Sequence, residues 1–469
     1  MPEYQAPKEE MTFVINEIAG MTNIMATNKY AEISPDVVDA ILEEAGKFCS
    51  EVLSPLNQSG DVQGSKLENG IVRTPDGFKK AYKKFSQAGW NGMPFDEKYG
   101  GQNLPWLLTT AVGEMIQSAN MSFGLCPLLT QGAIELLSKH GNEELKETYL
   151  NKMIAGEWPG TMNLTEPQAG TDLSQIRTKA VKDGEKYRVH GTKIYITYGD
   201  HDLAENIIHM VLARIQGGPE GNRGISLFVV PKFLVNKDGS LEAKNDLRVV
   251  SLEHKLGIKA SPTAVMSYGD NYGAEAYIVG KENHGIEYMF TMMNNARLAV
   301  GLQGVAIAER AYQKARTFAL ERKQSKCIGS TSKEPVAIIE HPDVKRMLLS
   351  MKCQTEATRC LAYFVAANLD ISECHNDKKI REEAKIIVDI LTPVVKAWGS
   401  DTGIEVANTG IQIHGGMGFI EESGAPQLLR DARITSIYEG TNGIQANDLV
   451  GRKIIIDKGK GLKAIIKIM

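Results

Sequence analysis

Glu439 stands between Tyr438 and Gly440 in the run Arg430-Asp431-Ala432-Arg433-Ile434-Thr435-Ser436-Ile437-Tyr438-Glu439-Gly440-Thr441. A glutamate taken alone is usually a solvated surface charge. An aromatic before it and a glycine after it let this carboxylate enter a tight site, where desolvation raises its pKa toward that of a useful base. Such a base can take an acidified C–H proton. Taking a hydride from the neighbouring carbon as well requires a cofactor, because no side chain accepts hydride. The segment Met162-Asn163-Leu164-Thr165-Glu166-Pro167-Gln168-Ala169-Gly170-Thr171-Asp172 brings backbone amides and the Thr165 hydroxyl around a Gly/Pro turn. Donors so grouped can stabilise negative charge on a bound ring, although Gly and Pro also suit a plain turn.

The chain that must position these groups has 469 residues, 42% of them hydrophobic and 23% charged, more than one core usually supports, so two or three domains are expected. Its net charge of −4 provides no overall field for phosphate backbones or anionic lipid, and a nucleic-acid role would need a local patch. The six cysteines form no C-x-x-C pair and no secretory leader precedes them, which points to reduced thiols and a cytoplasmic location. Cys353 and Cys360 are spaced to share a helix face and are expected to be small buried hydrophobes. No apolar run reaches the ~18 residues of a spanning helix.

Apolar spacing is helical from about residue 34 to 158, with Ser34 as N-cap and Pro35 at the first helical position. Tyr99-Gly100-Gly101-Gln102 and a turn around Pro127 are expected to separate these helices. Between 159 and 281 the period becomes two: Tyr187 and Val189, then Ile194 and Ile196, with β-rich runs at Ile207 to Leu212 and Ile225 to Val230. Long helices return from Gly285, one of them starting at His341-Pro342-Asp343. Separate blocks of helix and strand give an α+β class, with an N-terminal helical domain (1–158), a middle antiparallel β domain (159–281) and a C-terminal helical domain (282–469).

Other patterns carry less chemistry. Gly459-x-Gly461-x-x-Ala464 follows a strand-like Lys453 to Asp457 but has no room for the rest of a dinucleotide fold. Asp200-His201-Asp202 suits a solvated turn better than a metal site. Met289, Met292 and Met293 are expected to fill core gaps, and the lysines after Gly451 to form a solvated helix end.

The Arg430–Thr441 run closely resembles the segment of acyl-CoA dehydrogenases that carries their catalytic glutamate. The resemblance implies that Glu439 abstracts the α-proton of an acyl-CoA, with Tyr438 and Gly440 beside the substrate and Thr441 beside the cofactor, FAD. The 162–172 segment resembles the loop lying along the flavin ring, which implies contacts from Met162, Leu164, Thr165 and Thr171, the last also near the CoA chain. Gly191-Thr192-Lys193-Ile194-Tyr195-Ile196-Thr197 resembles the second flavin strand; tryptophan is frequent where this chain has Tyr195, and Thr197 follows as the flavin-bonding threonine. Phe318-Ala319-Leu320-Glu321-Arg322-Lys323 and Gln412-Ile413-His414-Gly415-Gly416 resemble groups that reach a neighbouring subunit's flavin, through Arg322, Gln412 and Gly416. Gln324-Ser325-Lys326 departs from the threonine and phenylalanine frequent after that arginine. Asn294-Asn295-Ala296-Arg297 occupies the position of a substrate-side segment, implying roles for Asn294 and Arg297.

Within the family, the start MPEYQAPKEEM, the segment Gly199 to Asn206 and Met292-Met293-Asn294 resemble the long branch of 3-methylmercaptopropionyl-CoA dehydrogenases, whose members usually continue into a further helical segment beyond Gly451. The resemblance implies electron-transfer flavoprotein as acceptor and a homodimer or homotetramer, with neither nucleic acid nor membrane as partner. Two alternatives stand beside it: a DNA-associated flavoprotein of the alkylation-response branch, whose added basic region is not seen here, and a catalytically degenerate paralogue.

Overall fold

The structure is a computed structural model describing residues 4–329, 331 and 334–468; Met1, Pro2 and Glu3 of the amino-terminal motif lie outside the described residues. Helix α1 (Pro35–Phe48) forms as its sequence demands: Ser34 accepts the Val37 amide, Pro35 occupies the first position, and Val38 and Leu42 are buried. Helices α2 (Trp106–Ala119) and α3 (Met121–His140) follow. The expected turn at Pro127 does not occur. Pro127 lies inside α3, and the break falls at Asn120, whose side chain accepts the Phe123 amide at 3.0 Å. Burial of Phe123, Leu125, Cys126, Leu128 and Leu129 on several sides of α3 outweighs the one backbone bond a proline removes.

The middle segment is an eight-stranded sheet of β1 (Gly160–Asn163), β2 (Lys179–Asp183), β3 (Lys186–Thr197), β4 (Ile208–Ile215), β5 (Ile225–Pro231), β6 (Leu247–Leu252), β7 (Thr263–Tyr268) and β8 (Ala274–Ile278). Its order is β6-β7-β3-β8-β5-β4-β1, and β2 pairs with both β3 and β4, which closes a ring within the sheet. Most neighbours are antiparallel, while β1 and β2 run parallel to β4. Alternation does its expected work in β3, where Tyr187, Val189 and Ile196 are buried.

Three long helices follow, α4 (Gly285–Glu321), α5 (Pro342–Cys374) and α6 (Lys378–His414), and shorter helical segments come after them. Met289 and Met292 are buried in α4, as packing requires. α4 and α6 run in the same direction at backbone contact, since a Cβ built on Gly304 would lie 1.8 Å from the Gly399 carbonyl oxygen and one on Gly399 2.3 Å from the Gly301 oxygen. Early and late helices share one core, in which Leu107, Leu108 and Phe123 join Leu302, Tyr363 and Val395. Buried charges cross the same boundary. Arg359 of α5 binds Glu114 of α2 (Nε 2.9 Å, Nη2 2.7 Å) and Glu309 of α4 (2.7 Å). Asp370 of α5 accepts the amides of Trp106 (2.8 Å) and Leu107 (2.9 Å), capping α2 from elsewhere in the chain.

Three further expectations are corrected. Asp200 and His201 are buried rather than solvated: Asp200 accepts from Lys232 Nζ at 2.6 Å, and Asp202 accepts the Thr74 amide and hydroxyl. Lys453 to Asp457 is not a strand; Asp448–Ile456 is helical and continues from the preceding Asn442–Asn447 turn of helix. Cys353 is exposed and Cys360 half-buried, because that face of α5 is not covered, whereas Cys49 and Cys126 are buried. All six thiols are free. Among the described residues no helix is long and apolar enough to cross a membrane, and no cluster of His, Cys, Asp and Glu could hold a metal.

Candidate active site

Glu439 sits between the end of a 3-10 turn, Arg433–Ser436, and α7 (Asn442–Asn447). Its backbone is left-handed (φ 57°), as is that of Gly440 (φ 84°). For a glutamate that conformation costs energy, so surrounding bonds must impose it. Gln445 Nε2 donates to the carbonyls of Glu439 (3.2 Å) and Gly440 (3.1 Å), Arg297 Nε donates to the Glu439 carbonyl (3.4 Å), and the Thr441 hydroxyl accepts the Ile444 amide (3.3 Å) as the cap of α7. Glycine is required at 440, because a Cβ there would meet Gln445 Nε2 at 2.9 Å in a backbone already left-handed. The Glu439 carboxyl lies in a desolvating environment that pushes its pKa up to about 7, against the pull of Arg297 and Lys396. This is the range in which a carboxylate works as a base near neutral pH.

Arg297 is buried in α4 and also meets Asn294 Oδ1 and Asp448 Oδ2, each at 3.5 Å. Tyr438 donates its hydroxyl to Gln303 Oε1, and Gln303 Nε2 donates to Gln117 Oε1 at 3.2 Å. Gln117 borders a cavity of about 460 Å³ between α2, α3 and the long helices, with Trp90, Trp106, Gly124, Asn294 and Leu298 among its walls. Of the substrate-side residues expected from the sequence, Asn294 borders this cavity, and Tyr438 is linked to it through the glutamine relay.

The two segments expected from the sequence to face a flavin ring are brought together on the sheet. Ile194 N donates to the Thr165 carbonyl at 2.9 Å, and the Thr161 hydroxyl donates to the Thr197 carbonyl at 2.7 Å. Beneath them Lys193, fully buried, donates to the Leu164 carbonyl (2.9 Å) and Glu166 Oε1 (2.8 Å), while Glu166 also accepts from Arg177 N and Thr178. The pairing of β3 with β7 slips between Lys193 and Ile196, and this bulge holds Tyr195 left-handed (φ 59°) with 61% of its surface exposed. Met162 and Leu164 are half-buried, and Thr171 lies exposed in the following loop.

Arg322, Gln412 and Gly416 are elsewhere. All three are exposed at the carboxyl-terminal ends of α4 and α6, which meet through stacked Phe318 and His414 (4.5 Å). Arg322 follows Arg297 by 25 positions along α4, roughly 37 Å at the helical rise. Sequence reasoning missed Gln117, Gln303, Gln445 and Lys396. A lysine on the stripe of α6 that carries Gly399 and Gly403 was the available signal for Lys396.

Sequence profiles described as acyl-CoA dehydrogenase N-terminal, middle and C-terminal domains match residues 36–157, 161–270 and 283–454. The 3-methylmercaptopropionyl-CoA dehydrogenase of Ruegeria pomeroyi is 52% identical over 458 residues, covering 97% of this chain and 77% of that protein. The chain belongs to the acyl-CoA dehydrogenase family. It is an oxidoreductase acting on acyl-CoA, with the fold of its relatives. Butyryl-CoA dehydrogenase of Megasphaera elsdenii superposes with a TM-score of 0.73 at 25% identity, covering 89% of this chain and 98% of that one. A structure described as the electron transferring flavoprotein of Acidaminococcus fermentans matches with a TM-score of 0.73 at 27% identity, covering 90% and 99%. Acyl-CoA dehydrogenases are FAD-dependent flavoproteins, and the residues present here fit that group. Among the described residues the Thr165 and Thr197 hydroxyls donate to no protein acceptor, and they flank an exposed aromatic on one surface of the sheet.

Proposed function

We propose that this acyl-CoA dehydrogenase desaturates a short, slim acyl-CoA between its α and β carbons, with Glu439 as the base. The observation that supports this most is the desolvated carboxylate on a loop whose Glu439 and Gly440 carbonyls are held by the Arg297 and Gln445 side chains. Glu439 takes the α-proton, breaking the Cα–H bond as its own O–H bond forms. FAD, when bound, accepts the β-hydride. Met162, Leu164, Thr165, Thr171, Tyr195 and Thr197 would line the flavin, with Thr441 near it, and Thr171, Asn294, Arg297, Tyr438 and Gly440 would border the substrate. The separation of Arg322, Gln412 and Gly416 from this centre supports a homodimer or homotetramer in which they hold a neighbour's FAD. The helical, β and helical segments would act as domains 1–158, 159–281 and 282–469.

The names of the Ruegeria and Megasphaera relatives support 3-(methylthio)propionyl-CoA or a straight short-to-medium chain as substrate; electron-transfer flavoprotein as acceptor and a cytoplasmic setting complete the proposal. A thioether and a methylene differ little in size, so an apolar pocket separates their thioesters by only about 1–3 kcal/mol and activity on both is expected. The test is a panel of acyl-CoA thioesters assayed with an artificial electron acceptor. A higher kcat/KM for isovaleryl-CoA or a very-long-chain thioester would overturn the substrate assignment and leave the Glu439 chemistry standing.

A further inference from the structure

Lys396 lies on α6 with its side chain fully buried, and its Nζ donates to Asn442 Oδ1 at 2.9 Å, three residues after Glu439. Burying an ammonium is costly unless it is paired. Here its hydrogen-bonding partner is a neutral amide. Asn442 is a junction: its Oδ1 also accepts from the Ser400 hydroxyl (3.1 Å), and its Nδ2 donates to Asp401 Oδ1 (2.7 Å). The lysine therefore grips the loop at one end while Arg297 grips it at the Glu439 carbonyl.

The charges around the base differ in how far they are spent. From α4 comes Arg297, which shares its cation with Asp448 at 3.5 Å. From the helical segment after α7 come Asp448 itself and Arg452, joined to each other at 2.5 Å. From α6 come Lys396 and Asp401, and Asp401 is engaged by the Asn442 amide. Glu439 and Lys396 act on each other's charge: the lysine holds the carboxyl down, and desolvation lowers the lysine to about 8 while Glu439 and Asp401 pull the other way. Lys396 is thus a second cation acting on the base beside Arg297, and its own hydrogen bond goes to a neutral group.

We infer that Lys396 is a positioning residue for the base, fixing the Glu439–Asn442 loop through Asn442 and adding its positive charge to that of Arg297, so that the Glu439 carboxylate stays available for proton abstraction. This rests on the reading of Glu439 as base. A merely structural lysine would hold the loop without setting the protonation of Glu439.

The experiment uses the FAD-loaded enzyme and follows protonation of Glu439 by infrared difference spectroscopy, the carboxyl band being assigned by its loss in Glu439→Gln. Flavin reduction by butyryl-CoA is followed across the same pH range. Lys396→Met should move the midpoint and the acid limb of reduction upward together by roughly one pH unit. Lys396→Gln, which retains a donor for Asn442 without the charge, should behave like Lys396→Met. Lys396→Arg should restore the wild-type midpoint. An unmoved midpoint in either neutral variant overturns the role of Lys396, even if the rate falls. Undiminished reduction in Glu439→Gln overturns instead the assignment of the base.

Discussion

The guanidinium of Arg297 reaches the backbone carbonyl of Glu439, 3.4 Å from its Nε, and shares its charge with Asp448. Among the described residues no cation stands at salt-bridge distance from the Glu439 carboxylate. The loop is held by its peptide groups, and the acid is left unpaired. A direct ion pair would lower the pKa by one to three units, roughly, and weaken the base.

Glu439→Gln preserves size and removes the base. The variant should retain FAD and acyl-CoA and lose flavin reduction by roughly 10²–10⁴-fold. Stopped-flow bleaching of the flavin on mixing with substrate checks this, and unaltered bleaching would point to another base.

The pH dependence has a definite sign. Burial raises Glu439 to about 7, and a base must be ionised, so reduction should increase as pH rises through about 7 and decline below it. An unperturbed glutamate would place that limb near pH 4.3, roughly. Plotting kcat/KM against pH distinguishes the two.

Arg322→Ala should lower FAD retention and weaken the oligomer together, because Arg322 lies roughly 37 Å along α4 from Arg297. Flavin content and sedimentation measured on one preparation are the check. Cofactor loss with an unchanged oligomer would mean that Arg322 serves its own subunit.

Gly124→Ala tests the cavity. A Cβ at 124 would lie 2.6 Å from the Gln117 side chain, displacing it from Gln303 and narrowing the space beside it. KM should rise more for longer thioesters than for propionyl-CoA, while flavin content stays the same.

The order of helix, sheet and helix is legible in the sequence because hydrophobic period changes from helical to alternating and back over long segments. The Glu439 loop and the 162–172 and 191–197 segments could be singled out from the sequence because each is one contiguous run. Pro127 misleads because local propensity opposed tertiary packing and packing prevailed, whereas Lys453 to Asp457 misleads because the helix begun at Asn442 runs on through it although Ile455 and Ile456 stay exposed. Lys396, Gln303 and Gln117 escape notice because their partners lie 46, 135 and 186 residues away, with no local pattern announcing them.

Arg297 and Lys396 each lie one helical turn before the glycine contact of α4 with α6. Because those backbones touch, the gap between the two cations is set by main chain and not by the fit of side chains. Substitutions can accumulate among the apolar residues of the bundle, and stability can drift with them, while the electrostatic environment of the base is inherited unchanged. Retuning that environment by evolution or design therefore means altering Gly301, Gly304, Gly399 or the cations themselves.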